Sequence, residues 1–251
     1  MTSLPSEYRT ENEVHIFDVS GKEKMYDLSS KFNTFYSSYV VLPQSEQSSL
    51  YHKKDLNLQR LKDGLKEYNV EYKTSYSIVE DCVQGSVAMS TVVQNEESDY
   101  DIDAAIVLDK SDLVNKGAQS TRNMIANALR RKTKQFNAEP EVKTSCVRVK
   151  YADGYHIDFA IYRRSYDSVN EEWIYEHAGS EWKSRNLRGL TDWFKTQNEN
   201  TNGKLRKVVR LSKMFCKSRS SWKNMPSGLL QTVLCDETLQ DSYDRIDELF
   251  Y

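Results

Sequence analysis

Two periodicities divide the chain. Residues 23–40, "EKMYDLSSKFNTFYSSYV", set Met25, Leu28, Phe32 and Phe35 or Tyr36 at helical spacing. Residues 45–69 predict a second, longer helix, with Leu50, Leu56, Leu58, Leu61, Leu65 and Tyr68 along one side and Asn69 as its terminator. The period then shortens to two. "YSIVEDCV" predicts a short strand that runs into Gly85. "YDIDAAIVL" alternates strictly, so Tyr100, Ile102, Ala104, Ile106 and Leu108 face one way and Asp101 and Asp103 the other. A helix is predicted from Ser120 to Phe136, capped by Ser120 or Thr121, with Ile125, Ala128, Leu129 and Phe136 inward. Strands Cys146–Tyr151 and Tyr155–Tyr162 form a hairpin around Ala-Asp-Gly. From Asn170 onward the pattern reads as helical, through Trp173, Trp182 and Trp193, the basic stretch "KLRKVVRLSKMFCKSR", and a last helix that Pro226 and Ser227 introduce.

The alternation in the Asp101 segment raises a chemical question, because strand interiors disfavour aspartate. Residues two apart on a strand leave the same face, with Cα atoms roughly 6 to 7 Å apart. That spacing suits two carboxylates that share hard cations, and magnesium takes oxygen ligands of this kind together with substrate phosphates. Asp158 repeats the anomaly in "YHIDFAIY", opposite Ile157, Phe159 and Ile161 and on the side of His156 and Ala160. If its strand lies beside the Asp101 strand, three carboxylates meet on one face, and a pair of metals held there could drive phosphoryl transfer. Each aspartate alone could be an exposed edge residue. Asp99 shares the parity of the pair, but it sits at the strand entrance as a turn or capping residue. Upstream, Gly85 allows close backbone approach to a ligand, and the Ser86 hydroxyl can donate to a phosphate.

Composition narrows the setting. The chain has 251 residues, enough for one large domain or two small lobes, with 38% hydrophobic and 29% charged residues. A net charge of −2 excludes a globally basic nucleic-acid coat. No apolar run is long enough to span a bilayer, and the first residues lack the charge and apolar pattern of a secretory signal. Cys82, Cys146, Cys216 and Cys235 are too far apart for a zinc knuckle or a CxxC pair, and they read as reduced thiols of a cytoplasmic protein. Arg206, Arg210, Lys213 and Lys217 share one face of the basic helix, which as a bland alternative is a solvated surface.

Gly-Ser, then D-x-D, then a single Asp on a later strand resembles the polymerase-β-like nucleotidyltransferase superfamily. Within it, "QGSVAMSTVV…DYDIDAAIVL" with "GYHIDFAIYRR" resembles the cGAS/DncV-like nucleotidyltransferases, over about residues 56–235. The resemblance implies an α+β fold: a mixed twisted sheet with flanking helices, plus a helical second lobe, bridged by a long N-terminal spine helix. The catalytic core would span 1–165 and the helical lobe 166–251. The metal ligands, and with them the catalytic residues, would be Asp101, Asp103 and Asp158, holding two Mg²⁺ or Mn²⁺ ions. Nucleotide would be bound by Gln84, Gly85, Ser86, Lys213 in "RLSKMF" and Ser227 in "PSGLL".

The implied activity is synthesis of a cyclic di- or trinucleotide messenger from ATP, GTP or other nucleoside triphosphates, in bacterial anti-phage signalling. Another acceptor (an RNA 3′ end, a protein hydroxyl or a linear oligoadenylate) and a non-catalytic nucleotide- or RNA-binding module are the alternatives. The zinc-binding thumb of the animal enzyme is absent, so activation by double-stranded DNA is not indicated, and a regulatory protein partner is compatible with the resemblance. The resemblance implies further C-terminal helices past the position of Tyr251, as this family usually has them.

Overall fold

The computed structural model describes residues 27–95, 99–135, 138–219, 221–240 and 242–250. Met25 and Phe136, assigned above to helix faces, lie outside them. A short helix α1 (Ser29–Phe35) widens into a π-turn at Tyr36–Val40. It leads to the 29-residue helix α2 (Gln44–Tyr72). Strand β1 (Glu80–Val83), the short helix α3 (Gly85–Ala88), strand β2 (Asp101–Asp109) and helix α4 (Ala118–Lys132) follow. Then come β3 (Glu141–Val142), β4 (Val147–Lys150), β5 (His156–Asp167), β6 (Glu172–Ala178) and β7 (Trp182–Ser184). The chain ends in helices α5 (Gly189–Asn200), α6 (Lys204–Lys217), α7 (Gly228–Thr238) and α8 (Ile246–Phe250).

The sheet is mixed, as the resemblance implied. Its order is β1-β2-β5-β4-β3, and β6 extends from the far half of β5 and pairs with β7. β2 and β5 run parallel, while β1 on β2 and β4 and β6 on β5 are antiparallel. The parallel register sets Asp103 directly beside Asp158 and Asp101 beside His156.

One face of the sheet is the main core. Ile102, Ala104, Ile106 and Leu108 of β2 and Ile157, Phe159 and Ile161 of β5 pack there against Leu50, Leu58, Leu61 and Leu65 of α2 and Met124, Ile125 and Leu129 of α4. The two helices approach so closely at Gly64 that a Cβ there would overlap the Ala128 carbonyl oxygen. Gly64→Ala is therefore expected to cost about 1–3 kcal/mol by forcing the helices apart, read as a lower midpoint in chemical denaturation. The opposite face is split. Ala105, Val107 and Tyr162 are covered by Leu187, and the rest of that face carries the aspartates.

Four expectations change. Leu56 is exposed, because it lies about 200° around the helix from the buried Leu58. Asn69 does not end α2, which runs three residues further to a left-handed Lys73. Instead the Asn69 side chain binds the returning chain, donating to the Tyr76 carbonyl and accepting from Thr74 Oγ1 and the Tyr76 amide. Neither Ser120 nor Thr121 caps α4: it starts at Ala118 behind Gly117, and both hydroxyls donate to the Gly117 carbonyl. The segment after Asn170 is not helical until Gly189. The Asp167 carboxylate accepts from the Val169 and Asn170 amides in a turn, and the chain returns as β6 with Trp173, then as β7 with Trp182.

α5 to α8 build a second core of Phe194, Leu205, Val208, Val209 and Cys235, into which Met89 inserts from the loop behind α3. Val40, Leu211 and Ile246 join the N-terminal segment to it, with Phe32 and Tyr36 alongside. A groove is left between this helical part and the aspartate-bearing face of the sheet.

Candidate active site

That groove is a cavity of about 600 Å³, within the usual size for a small-molecule site. Gln84, Gly85, Ser86, Asp99, Asp101, Asp103 and Asp158 line one side, Lys213, Lys217, Gly228 and Leu229 another, and Asn186, Leu187, Leu190 and Thr191 close it further along.

The aspartates stand where alternation and register put them, yet their surroundings differ. The Asp101 side chain is exposed and lies 3.4 Å from Arg148 Nη2 and 3.7 Å from His156 Nδ1. Asp99 is nearer that imidazole, at 3.1 Å, and its carbonyl accepts from the Asn95 side chain, which fits a residue of the strand entrance. The Asp103 side chain is partly buried, and its carboxylate accepts no hydrogen bond from any described residue. Burial first, then the Asp158 and Asp101 charges, push its carboxyl up to about 6.

Asp158 is partly buried, and desolvation alone would raise its pKa. Arg148 reverses this by donating from Nε to Oδ1 and from Nη2 to Oδ2, each at 2.7 Å, and holds the carboxyl below its usual range. The Cys146 thiol beside it is pushed up to about 12 by its own burial and by the Asp158 charge. Among the described residues, no three acidic, His or Cys side chains are grouped as ligands of one ion. The donor set still suits hard cations. Three carboxylates share one face, and the most desolvated, Asp103, has no donor or cationic side chain bonded to it.

The glycine of "QGS" is fixed by the same carboxylate. Gly85 has φ +61°, and a Cβ would overlap Asp103 Oδ2. Gln84 anchors the loop, its amide donating to the Asp103 carbonyl at 2.8 Å and its side chain to the Leu187 carbonyl at 2.6 Å. The loop therefore lies on the carboxylate strand and leaves Ser86 on the cavity wall.

The basic face of α6 is not a solvated stripe. Arg206 Nε donates to the Met89 carbonyl, Lys213 Nζ to Thr91 Oγ1 at 2.9 Å and the Thr91 carbonyl at 3.2 Å, and Lys217 to the Gln94 carbonyl. Arg210 donates to the Tyr36 hydroxyl. Three of these four cations thus bind the loop that follows Gly85-Ser86. Among the described residues Lys213 meets no carboxylate, and burial lowers its pKa to about 8, with Arg210 adding to the effect. Ser227 caps α7, its Oγ accepting from the Leu230 amide at 3.3 Å; Gly228 and Leu229, next in the chain, are the residues that line the cavity.

Residues 79–162 match the family model described as "Cyclic GMP-AMP synthase DncV-like, nucleotidyltransferase domain". This segment is a DncV-like nucleotidyltransferase domain. It contains Gln84 to Ser86 and all three aspartates.

Solved structures extend the likeness as one of fold. Vibrio cholerae DncV cyclic AMP-GMP synthase, in complex with the linear intermediate 5′ pppA(3′,5′)pG, is similar at a TM-score of 0.71 and 15% identity, over 90% of this chain and 77% of that one. The 3′-deoxy GTP bound form of Escherichia coli DncV is similar at 0.67 and 16%, over 87% and 76%. CdnC of E. coli MS115-1, in a complex with HORMA-deltaN, is similar at 0.63 and 17%, over 88% and 68%. No helix among the described residues is long and apolar enough to cross a membrane.

Two neighbours of the candidate site residues, Arg148 and Thr91, lie inside the matched segment but outside the sequence motifs. Arg148 was readable: with Tyr151 opposite Tyr155 across the turn, the hairpin register puts Arg148 opposite Asp158. Thr91, fully buried under Lys213, carries no local signal, since only the packing of α6 on that loop selects it.

Proposed function

We propose that this chain is a metal-dependent nucleotidyltransferase that joins nucleoside triphosphates into a cyclic di- or trinucleotide. The observation that carries the reading is the placement of Asp101, Asp103 and Asp158 on one wall of a cavity whose facing wall holds Lys213. Asp101, Asp103 and Asp158 are the residues that would hold two Mg²⁺ or Mn²⁺ ions, which supply charge neutralisation at the α-phosphate and a lowered pKa for the acceptor hydroxyl. Gly85 lets the loop lie close enough for Ser86 to donate to the triphosphate. Lys213, a desolvated cation whose partners among the described residues are a hydroxyl and a carbonyl, stabilises the charge that grows on departing pyrophosphate. Gln84 holds the loop in place through its two anchoring hydrogen bonds. Ser227 positions the start of α7 against the same cavity.

In this reading α2 takes the place of the spine helix. The core, expected over 1–165, takes in β6 and β7, and the helical lobe begins at α5. The complex of CdnC with HORMA-deltaN supports a regulatory protein partner. A cytoplasmic role in anti-phage signalling rests on the resemblance to DncV-like enzymes.

Mass spectrometry of products from the four triphosphates with Mg²⁺ or Mn²⁺ tests the reading. The expected product is phosphatase-resistant and contains two or three linked nucleotides. Linear, phosphatase-sensitive chains would assign a different acceptor, and nucleotide binding without any product would overturn the enzymatic reading.

Lys213→Met should weaken binding of a non-hydrolysable triphosphate by roughly 10- to 100-fold, the worth of a charge-assisted hydrogen bond. In the unsubstituted protein, affinity should decline as pH rises through about 8, where Lys213 loses its proton. Calorimetric titration across pH 6.5 to 9.5 checks both. A pH-independent affinity would remove Lys213 from the phosphate site.

A further inference from the structure

The guanidinium of Arg148 occupies the carboxylate set itself. Its stem leaves β4 on the aspartate-bearing face because Arg148 pairs with Asp158 across the β4–β5 ladder. Nε and Nη2 bind both oxygens of Asp158 at 2.7 Å, and Nη2 reaches Asp101 Oδ1 at 3.4 Å. One cation therefore bridges carboxylates from two strands, β2 and β5. Both partners of the bidentate pair are largely shielded, with side-chain exposures of 19% and 14%, so solvent screens it weakly. A guanidinium does not deprotonate at any working pH. It leaves Asp158 only when something displaces it.

We propose that Arg148 is a positioning residue that competes with divalent cations for Asp158, so that the nucleotide-free protein binds metal weakly. The inference rests on the nucleotidyltransferase reading. Arg148 keeps the carboxylates of adjacent strands from repelling one another before metal is present. It also withholds the third carboxylate, in keeping with the lack of a grouped three-ligand set among the described residues. An incoming triphosphate offers the guanidinium a new anionic partner, so full metal loading is coupled to substrate arrival.

The test is Mn²⁺ binding to the full chain without nucleotide, followed by electron paramagnetic resonance, with circular dichroism as a check on folding. Arg148→Met should bind Mn²⁺ at least about fivefold more tightly than the unsubstituted protein, the lower end of typical coupling between two sites. Arg148→Lys, which keeps the charge but loses the fork, should fall between them and guards against a poorly folded Met variant. Asp103→Asn should lower Mn²⁺ binding in every background. Equal or weaker binding by folded Arg148→Met or Arg148→Lys, with the Asp103 response intact, overturns the competition and leaves the metal site standing. Mn²⁺ binding indifferent to Asp101, Asp103 and Asp158 overturns both.

Discussion

Asp103→Asn should lose on the order of 10³-fold in turnover and at the same time make the protein more stable at neutral pH. On the proposed function, the first effect follows from removing an oxygen that would hold metal where charge must be neutralised in the transition state. The second follows from burial. The folded pKa of Asp103, about 6, lies above its ordinary 3.8. Ionisation is therefore harder in the folded state, and the native protein carries that handicap in full above about pH 6. It diminishes as pH falls from 6 towards 3.8 and is gone below that, where the carboxyl is neutral folded or unfolded. Asparagine removes the charge, so the variant should gain on the order of 2–3 kcal/mol at pH 7 to 8 and nothing near pH 3.5. Chemical denaturation at the two pH values measures this. A variant that is less stable at both would mean that Asp103 is held by its fold and not stressed by it.

Gly85→Ala should cut turnover by roughly 100-fold or more. A Cβ at this position meets Asp103 Oδ2, so either the loop or the carboxylate must move, and a shift of about 1 Å at reacting groups has that cost. The left-handed backbone adds about 1–2 kcal/mol of strain. Gly203→Ala separates the two effects. Gly203 has φ +82° and open space around its Cβ direction. It should lose similar stability and keep its activity. Equal activity losses in the two variants would reduce Gly85 to a backbone requirement with no bearing on the site.

The strands that carry the three aspartates were legible because alternation is a local property. Asp101, Asp103 and Asp158 each break an apolar face at a position that the period of two assigns to the opposite side, and the structure places them there. The hairpin turn likewise fixes its own register, which contains Arg148. The β6–β7 extension was hidden because its first turn depends on the Asp167 side chain, and Glu172, Trp173 and Ile174 in succession are all exposed, so the strand shows little alternation. The cap of α4 misled because Ser120 and Thr121 both precede the apolar run, yet Gly117 in extended conformation starts the helix without a side chain. The α6 face was visible as a stripe of four cations. That three of them bind the loop after Ser86 belongs to tertiary packing, as does the choice of Thr91.

Pyrophosphate release from the four nucleoside triphosphates decides whether the three aspartates serve metal-dependent nucleotidyl transfer. With Mg²⁺ or Mn²⁺, the unsubstituted protein should release pyrophosphate, and a chelator should stop it. Asp101→Asn, Asp103→Asn and Asp158→Asn, each shown to be folded, should release almost none. Release that persists in a chelator or in all three folded variants would contradict the account.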